Sequence, residues 1–503
     1  MFNKFKSAGK LTKITLIVIL AGILLRFIIA SYTIEGGDPC YHASAARFVG
    51  RNFHYPLYEY LGREIFAHEP LFHFFGGLFY FVFEKFGMGD FGIHMVAPLF
   101  GSLIIIFTYF ICKKLLDKRK TLYAMIFVSF IPLEIYHSTT THIDIVSAFF
   151  AILSFYLLLE KKFYLASISF GLTLLGRING LFIAPVLAYM IFSNYRKNWI
   201  RKVAIFFIMG TLIASPWYIR NYELLHNPIW PFLNTFFNGT YHTGHDLKPD
   251  KLSQIFDFRD GYVEVHLAFF GVPDGKFANL FIFKDSLFKL ALYGWAIFTI
   301  ISMVPFIMSF SLKNLKDKKF QLMLFGLAPF LFFLYFYQFS YGNTSTRYML
   351  HGVPFMAVLW AYGLENIGKM SRIAARFIPV FLIAFIVCFA AAEAVKSAVI
   401  THQWIKLDKD INWAQQNISK NSLIIVPGQC LGYRLDRNVY PAKGSGYDLI
   451  PSRDPPINEV SYIFNINNIV QGPIKDTAMQ AYLPYFQKVY ENNSTNVRIY
   501  KKK

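Results

Sequence analysis

The chain has 503 residues; 55% are hydrophobic, 19% aromatic and only 16% charged, and the net charge is +20. Repeated apolar runs of bilayer length exclude a string of soluble domains, and the basic residues fall in short clusters between those runs, which excludes a nucleic-acid surface in favour of the positive-inside pattern of a polytopic membrane protein. Four cysteines, Cys40, Cys112, Cys388 and Cys430, are scattered without CxxC or metal-ligand spacing, so neither a zinc site nor a disulfide framework is predicted.

Lys4, Lys6, Lys10 and Lys13 precede an apolar run with no small-residue cleavage site. This reads as a retained first span over residues 14–34 with the N-terminus in the cytoplasm. Residues 39–70 are too polar to cross, and the apolar run 71–83 is short for a span and fits an interfacial or re-entrant helix. The next run, 91–112, ends in the basic cluster 113–120. Parity then keeps 71–83 outside and makes 91–112 span 2. Spans 3 to 11 follow at 121–136, 145–159, 163–177, 180–193, 202–218, 285–311, 320–338, 348–364 and 377–396, with every basic cluster on the inner side. The span interiors read as apolar apart from Ser, Thr and Gly.

The predicted fold class is a polytopic α-helical membrane protein of about 11 spans, up to about 13, with a small C-terminal extracytoplasmic α/β domain. Residues 1–400 form the transmembrane domain, with outer loops 35–90, holding interfacial helices, and 219–284. Residues 401–503 turn polar and form the outer domain, with strands predicted at 422–426, 460–464 and 497–500 and helices at 404–418 and 474–488. No internal repeat is evident, which weakens a transporter built from inverted repeats. The expected location is the plasma membrane, multi-pass, with the C-terminal domain outside.

This topology places the unusual polar residues on one face: Asp38, His42, Glu69, His142, Asp144, Arg177, Arg220, His242, His245, Asp246 and Arg347. An extracytoplasmic active site produces such one-sidedness, whereas a carrier places polar groups at mid-span depth. Asp38 stands where span 1 ends, in a Gly-Gly-Asp-Pro turn; with Glu69 it forms a carboxylate pair suited to general-base work beside a second acid or a metal ligand. His142-Ile143-Asp144 at the mouth of span 4 and His242-Thr243-Gly244-His245-Asp246 have metal-ligand composition without the closed spacing of a structural site. Arg177, Arg220 and Arg347 each end a span on that face. Singly they read as interfacial anchors; together with the acids they favour an anionic group at membrane depth, such as a lipid-linked phosphate.

Four stretches carry a resemblance: Gly37-Asp38-Pro39-Cys40-Tyr41-His42-Ala43, His68-Glu69-Pro70-Leu71, Pro216-Trp217-Tyr218-Ile219-Arg220-Asn221-Tyr222 running on to Asn227-Pro228, and Thr346-Arg347-Tyr348-Met349-Leu350. In order and sidedness the chain resembles the GT-C superfamily of polytopic membrane glycosyltransferases, in the branch of the protein O-mannosyltransferases, lipid A aminoarabinose transferases and RgtABCD-like enzymes. Asp144 and Arg177 fall where family members carry an acid and a base. Two features depart from relatives: Pro39 follows Asp38 where mannosyltransferases carry Asp-Glu, and the Trp-Trp-Asp motif of oligosaccharyltransferases is absent from the outer domain.

The resemblance implies inverting transfer of one sugar from a polyprenyl-phosphate-linked donor to a glycan, lipid or protein acceptor at the outer face. Asp38 is then the catalytic base or acceptor-orienting acid, and Arg347 and Arg220 hold the lipid phosphate. Glu69, Asp144, Arg177, Tyr348 and His42 complete the substrate-binding set. A divalent metal ion is left open, with Asp38, Glu69, His142, Asp144, His242, His245 and Asp246 as candidate ligands. Membrane lipids are expected partners and nucleic acid is not. The alternative is a lipid-linked sugar flippase or transporter.

Overall fold

The computed structural model describes residues 9–34, 38–57, 66–230, 232–240, 286–341, 346–441, 459–466 and 482–503. Helices cover all eleven apolar segments read from the sequence, ending in the long Arg372–Ile405 helix. By length and composition, four helices among the described residues reach bilayer span: Lys10–Tyr32, Gly89–Leu115, Arg196–Leu225 and Arg372–Ile405. Leu71–Glu84, Asp144–Leu159, Phe163–Gly176 and Ile178–Asn194 are shorter apolar helices.

One helix of the bundle is broken by a proline. Pro132 has no N–H to give and pushes Ile131 into extended backbone, so Lys118–Phe130 stops and Pro132–His137 starts afresh. The carbonyls left at this break are taken by Arg26, whose Nη2 donates to Val128 O (3.1 Å) and Nη1 to Ser129 O (2.8 Å). Arg26 and Glu134 are both fully buried, and their charges lie close enough to interact. The expectation that span interiors carry only Ser, Thr and Gly is therefore corrected. An arginine is tolerated at this depth because it answers carbonyls that the proline orphaned and has a carboxylate neighbour.

Within the outer segment 35–90, expected to hold interfacial helices, residues 38–52 form the helix Asp38–Asn52. It packs on Leu71–Glu84 through small residues. A Cβ on Gly50 would lie 2.7 Å from Gly77 O, and one on Gly77 would lie 2.7 Å from Val49 Cγ1, so the two backbones touch.

The C-terminal part holds a five-stranded sheet, order β2-β1-β3-β5-β4, from β1 (Leu423–Val426), β2 (Asn438–Pro441), β3 (Val460–Ile466), β4 (Phe486–Asn492) and β5 (Val497–Lys502). β2, β1 and β3 are parallel; β3, β5 and β4 are antiparallel. Helix Asp408–Asn417 occupies most of the predicted 404–418 helix. The predicted 474–488 helix is corrected at its C-terminal end, where β4 begins at Phe486. The polar run Asn493-Ser494-Thr495-Asn496, with Asn496 at φ 53°, closes a hairpin that helical periodicity missed.

The cysteine reading is also corrected. Cys40 and Cys430, 390 residues apart, form a disulfide, leaving Cys112 and Cys388 free. Spacing carried no signal because the bond joins the Asp38–Asn52 helix to a helix of the C-terminal part, Gln429–Leu435, and only tertiary folding brings these together.

Candidate active site

Asp38 opens its helix, where the dipole favours a carboxylate. Arg347 comes from the 3₁₀ turn Thr346–Gly352 and donates through Nη1 to Asp38 Oδ2 at 3.0 Å. Burial pushes the Asp38 carboxyl up, but Arg347 and then His142 pull it down further, and the result lies below the usual carboxylate range. The carboxylate is 55% exposed while the guanidinium is 20% exposed, so the pair forms the rim of the site.

Behind the rim lies a buried second pair. Arg177 caps the helix Phe163–Gly176 in extended backbone. Its Nη1 lies 3.4 Å from Glu69 Oε2 and its Nε 3.6 Å from Asp144 Oδ1. Glu69 Oε1 also accepts the N–H of Ile178 at 2.9 Å. Asp144 begins the helix Asp144–Leu159 and is fully buried, with neither oxygen hydrogen-bonded among the described residues. Its charge is met by Arg177 and by the field of Arg347, which links the two pairs. Tyr348 is buried and hydrogen-bonds the Arg177 side chain.

Histidines pack beneath. His42 Nδ1 is 3.1 Å from His73 Nε2, His73 Nδ1 is 3.2 Å from Glu69 O, and the His42 and His68 rings lie 5.2 Å apart. Burial, and after it neighbouring Arg177 and His73, drive His68 down to about 3; burial drives His42 well below 6.5. Both stay neutral near pH 7. His142 is also buried, its ring 4.5 Å from that of His137, and burial followed by Arg347 lowers it to about 4.

The structure therefore brings Asp38, Glu69, Asp144, Arg177, Arg347, Tyr348 and His142 into one connected cluster. His42 supports it from below. Arg220 goes elsewhere. Its Nη1 donates to Phe66 O (2.7 Å) and its guanidinium stacks 4.6 Å over Trp217. Trp217 Nε1 and Asn221 Nδ2 both donate to Ala67 O, at 3.4 and 3.1 Å. The Pro-Trp…Arg-Asn stretch thus clamps the backbone that carries His68 and Glu69. His242, His245 and Asp246 lie outside the described residues.

A divalent ion is a poor fit to this donor set. Among the described residues no three His, Cys, Asp or Glu side chains converge as ligands, and the acids face guanidinium groups.

Sequence reasoning overlooked His68, His73 and His351 as members of the site. His351, one turn after Arg347, lies fully buried with Nε2 2.9 Å from Ser147 Oγ. The i, i+4 spacings Asp38/His42, Glu69/His73 and Arg347/His351 were available as a signal. An apolar cavity of about 440 Å³ opens beside the cluster, lined by Leu174, Ile178, Leu181, Ala214, Tyr218 and Ile229 among others.

Residues 67–219 match the family model described as dolichyl-phosphate-mannose-protein mannosyltransferase. Across almost the whole chain the fold resembles ArnT from Cupriavidus metallidurans, at TM-score 0.61, 11% identity and 98% coverage of each chain. It also resembles the Archaeoglobus fulgidus oligosaccharyltransferase, at TM-score 0.61 and 14% identity, covering 99% of this chain and 75% of that one. The arabinofuranosyltransferase AftD from Mycobacteria aligns at TM-score 0.53 and 12% identity, covering 97% of this chain and 40% of that one. ArnT has been seen bound to undecaprenyl phosphate, and the archaeal oligosaccharyltransferase AglB with an inhibitory peptide and a dolichol-phosphate. No curated protein sequence matches the chain. The chain thus resembles the GT-C superfamily of membrane glycosyltransferases in both family model and fold.

Proposed function

We propose that this protein is an integral-membrane glycosyltransferase that moves one sugar from a polyprenyl-phosphate-linked donor to an acceptor hydroxyl, with inversion, at the extracytoplasmic face. The observation that carries the reading is the Asp38–Arg347 pair at the rim of a cluster holding Glu69, Asp144 and Arg177, drawn from separate segments of the chain. In this reading about eleven spans place the cluster outside, residues 1–400 form the catalytic domain, and residues 401–503 form an outer domain.

Arg347 is the phosphate ligand. Its Nε is buried without a hydrogen-bond partner among the described residues, so a donor remains for an anion beside the bond to Asp38. The lipid phosphate shares the guanidinium and weakens its hold on Asp38. The Asp38 carboxyl then rises toward its ordinary range and becomes a better proton acceptor as the donor seats. The acceptor hydroxyl attacks the anomeric carbon, its proton passes to the Asp38 carboxylate, and the bond to the phosphate oxygen breaks. The charge left on the leaving phosphate is met by Arg347. Arg177 pairs with Glu69 and Asp144, sharing the Asp144 charge with Arg347, and holds the floor of the site in place. The apolar cavity beside Ile178 and Tyr218 suits the first isoprene units of the tail.

The test incubates purified protein with radiolabelled polyprenyl-phosphate sugars, beginning with dolichyl-phosphate-mannose, and follows label into acceptor. Wild type transfers label and Asp38→Asn does not. Full activity in Asp38→Asn removes it from the mechanism. Lipid translocation in proteoliposomes without transfer from any donor favours a flippase.

A further inference from the structure

The helix that carries Asp38 is fastened along one face to the C-terminal part of the chain. Cys40, Ala43, Arg47 and Arg51 recur at one-face spacing. Cys40 bonds covalently to Cys430, and both are buried. Arg47 donates to Tyr433 O at 2.9 Å and to Asp436 Oδ1 at 3.1 Å, and it stacks 4.1 Å over the Tyr433 ring. Arg51 grips both oxygens of the same Asp436, at 2.9 and 3.2 Å. Arg47 is also held by Asp90, through Nε at 2.9 Å and Nη2 at 2.6 Å. Three successive points of the Gln429–Leu435 helix and its cap thus fix the Asp38–Asn52 helix in both rotation and height.

By the helical angle per residue, Asp38 lies about 160° around the axis from Cys40. A latch on the Cys40 face therefore sets where Asp38 points. The helix is restrained on the side of Leu71–Glu84 as well, because the Gly50–Gly77 contact leaves no slack there.

We infer that Asp436, Arg47 and the Cys40–Cys430 bond are positioning residues for the active site: the C-terminal part docks as a clamp that aims Asp38 at Arg347. This rests on Asp38 and Arg347 being site residues, as proposed above, so the deciding measurement is independent of ligand. Hydrogen–deuterium exchange of the full-length protein is followed by mass spectrometry in wild type, Asp436→Asn and Asp436→Glu. Loss of the clasp in Asp436→Asn is expected to speed exchange about threefold or more in residues 38–52 and also in 346–352, with Asp436→Glu close to wild type. The same segments respond when wild type is reduced with tris(2-carboxyethyl)phosphine, which needs no variant to fold. Binding of undecaprenyl phosphate, used as the probe, weakens about fivefold in Asp436→Asn. Faster exchange confined to residues 429–441, with 38–52 and 346–352 unchanged in both the variant and the reduced protein, overturns the inference. Failure of wild type to bind undecaprenyl phosphate counts against the proposed function and leaves the exchange result standing.

Discussion

Arg347 and Asp38 are 309 residues apart in sequence and 3.0 Å apart in space, and one guanidinium nitrogen bonds one carboxylate oxygen across the rim of the site. Because the pair is partly exposed, it contributes little to stability, about 0.2–1 kcal/mol. In the proposed mechanism its role lies in the charge state of Asp38. Asp38→Asn is expected to lower sugar transfer about 10²–10⁴-fold while shifting stability by less than about 1 kcal/mol. Transfer rate and thermal midpoint, measured on the same preparation, check both halves.

The acid limb of the rate profile follows from the same pair. Asp38 titrates below the ordinary carboxylate range because Arg347 and His142 outweigh its burial. Arg347→Gln removes the largest of those pulls, so the acid limb of kcat/KM moves to higher pH. An unmoved limb means that the profile reports another group.

Arg177 and Asp144 behave differently, because both are buried. Arg177→Ala leaves Asp144 and Glu69 without their cation, and removing one partner of a buried pair costs about 3–5 kcal/mol. Asp144→Ala in the Arg177→Ala background recovers part of that loss. A double-mutant cycle on thermal unfolding gives the coupling, and simple additivity refutes the pairing.

Arg220 separates a clamp from a phosphate ligand. Arg220→Ala breaks a charged hydrogen bond to Phe66 O and costs about 1.5–3 kcal/mol of stability. Its affinity for undecaprenyl phosphate, corrected to folded protein, falls less than that of Arg347→Ala. Equal losses would return Arg220 to the phosphate site.

Acid destabilises the histidine layer. His68 and His73 titrate at about 3 in the folded chain against 6.5 when unfolded, so between those values the unfolded chain binds more protons. Stability is fully present above about pH 6.5 and declines as pH falls toward 3, by about 2 kcal/mol for each of the two at pH 5. The thermal midpoint therefore drops between pH 7 and pH 5, and His68→Phe flattens the drop. A midpoint independent of pH in this range contradicts burial of the neutral rings.

Much was legible in the chain. Apolar runs of helical length marked the long apolar helices, though not the polar Asp38–Asn52 helix, because a helix in an apolar surrounding must be apolar along its own length. Asp38, Glu69, Asp144, Arg177 and Arg347 stood out because charge is rare at such segment ends. What the sequence alone could not decide was partnership. Arg220 and Arg347 read alike, yet one binds backbone carbonyls and the other a carboxylate. Cys40 and Cys430 carried no spacing signal, and nothing local joins Arg47 to Asp436, which lie 389 positions apart. Sequence determined which long apolar segments are helical and where charge sits at their ends, since both are local properties. Tertiary structure decided which charges meet, because ion pairs and a disulfide form between surfaces that only packing brings together.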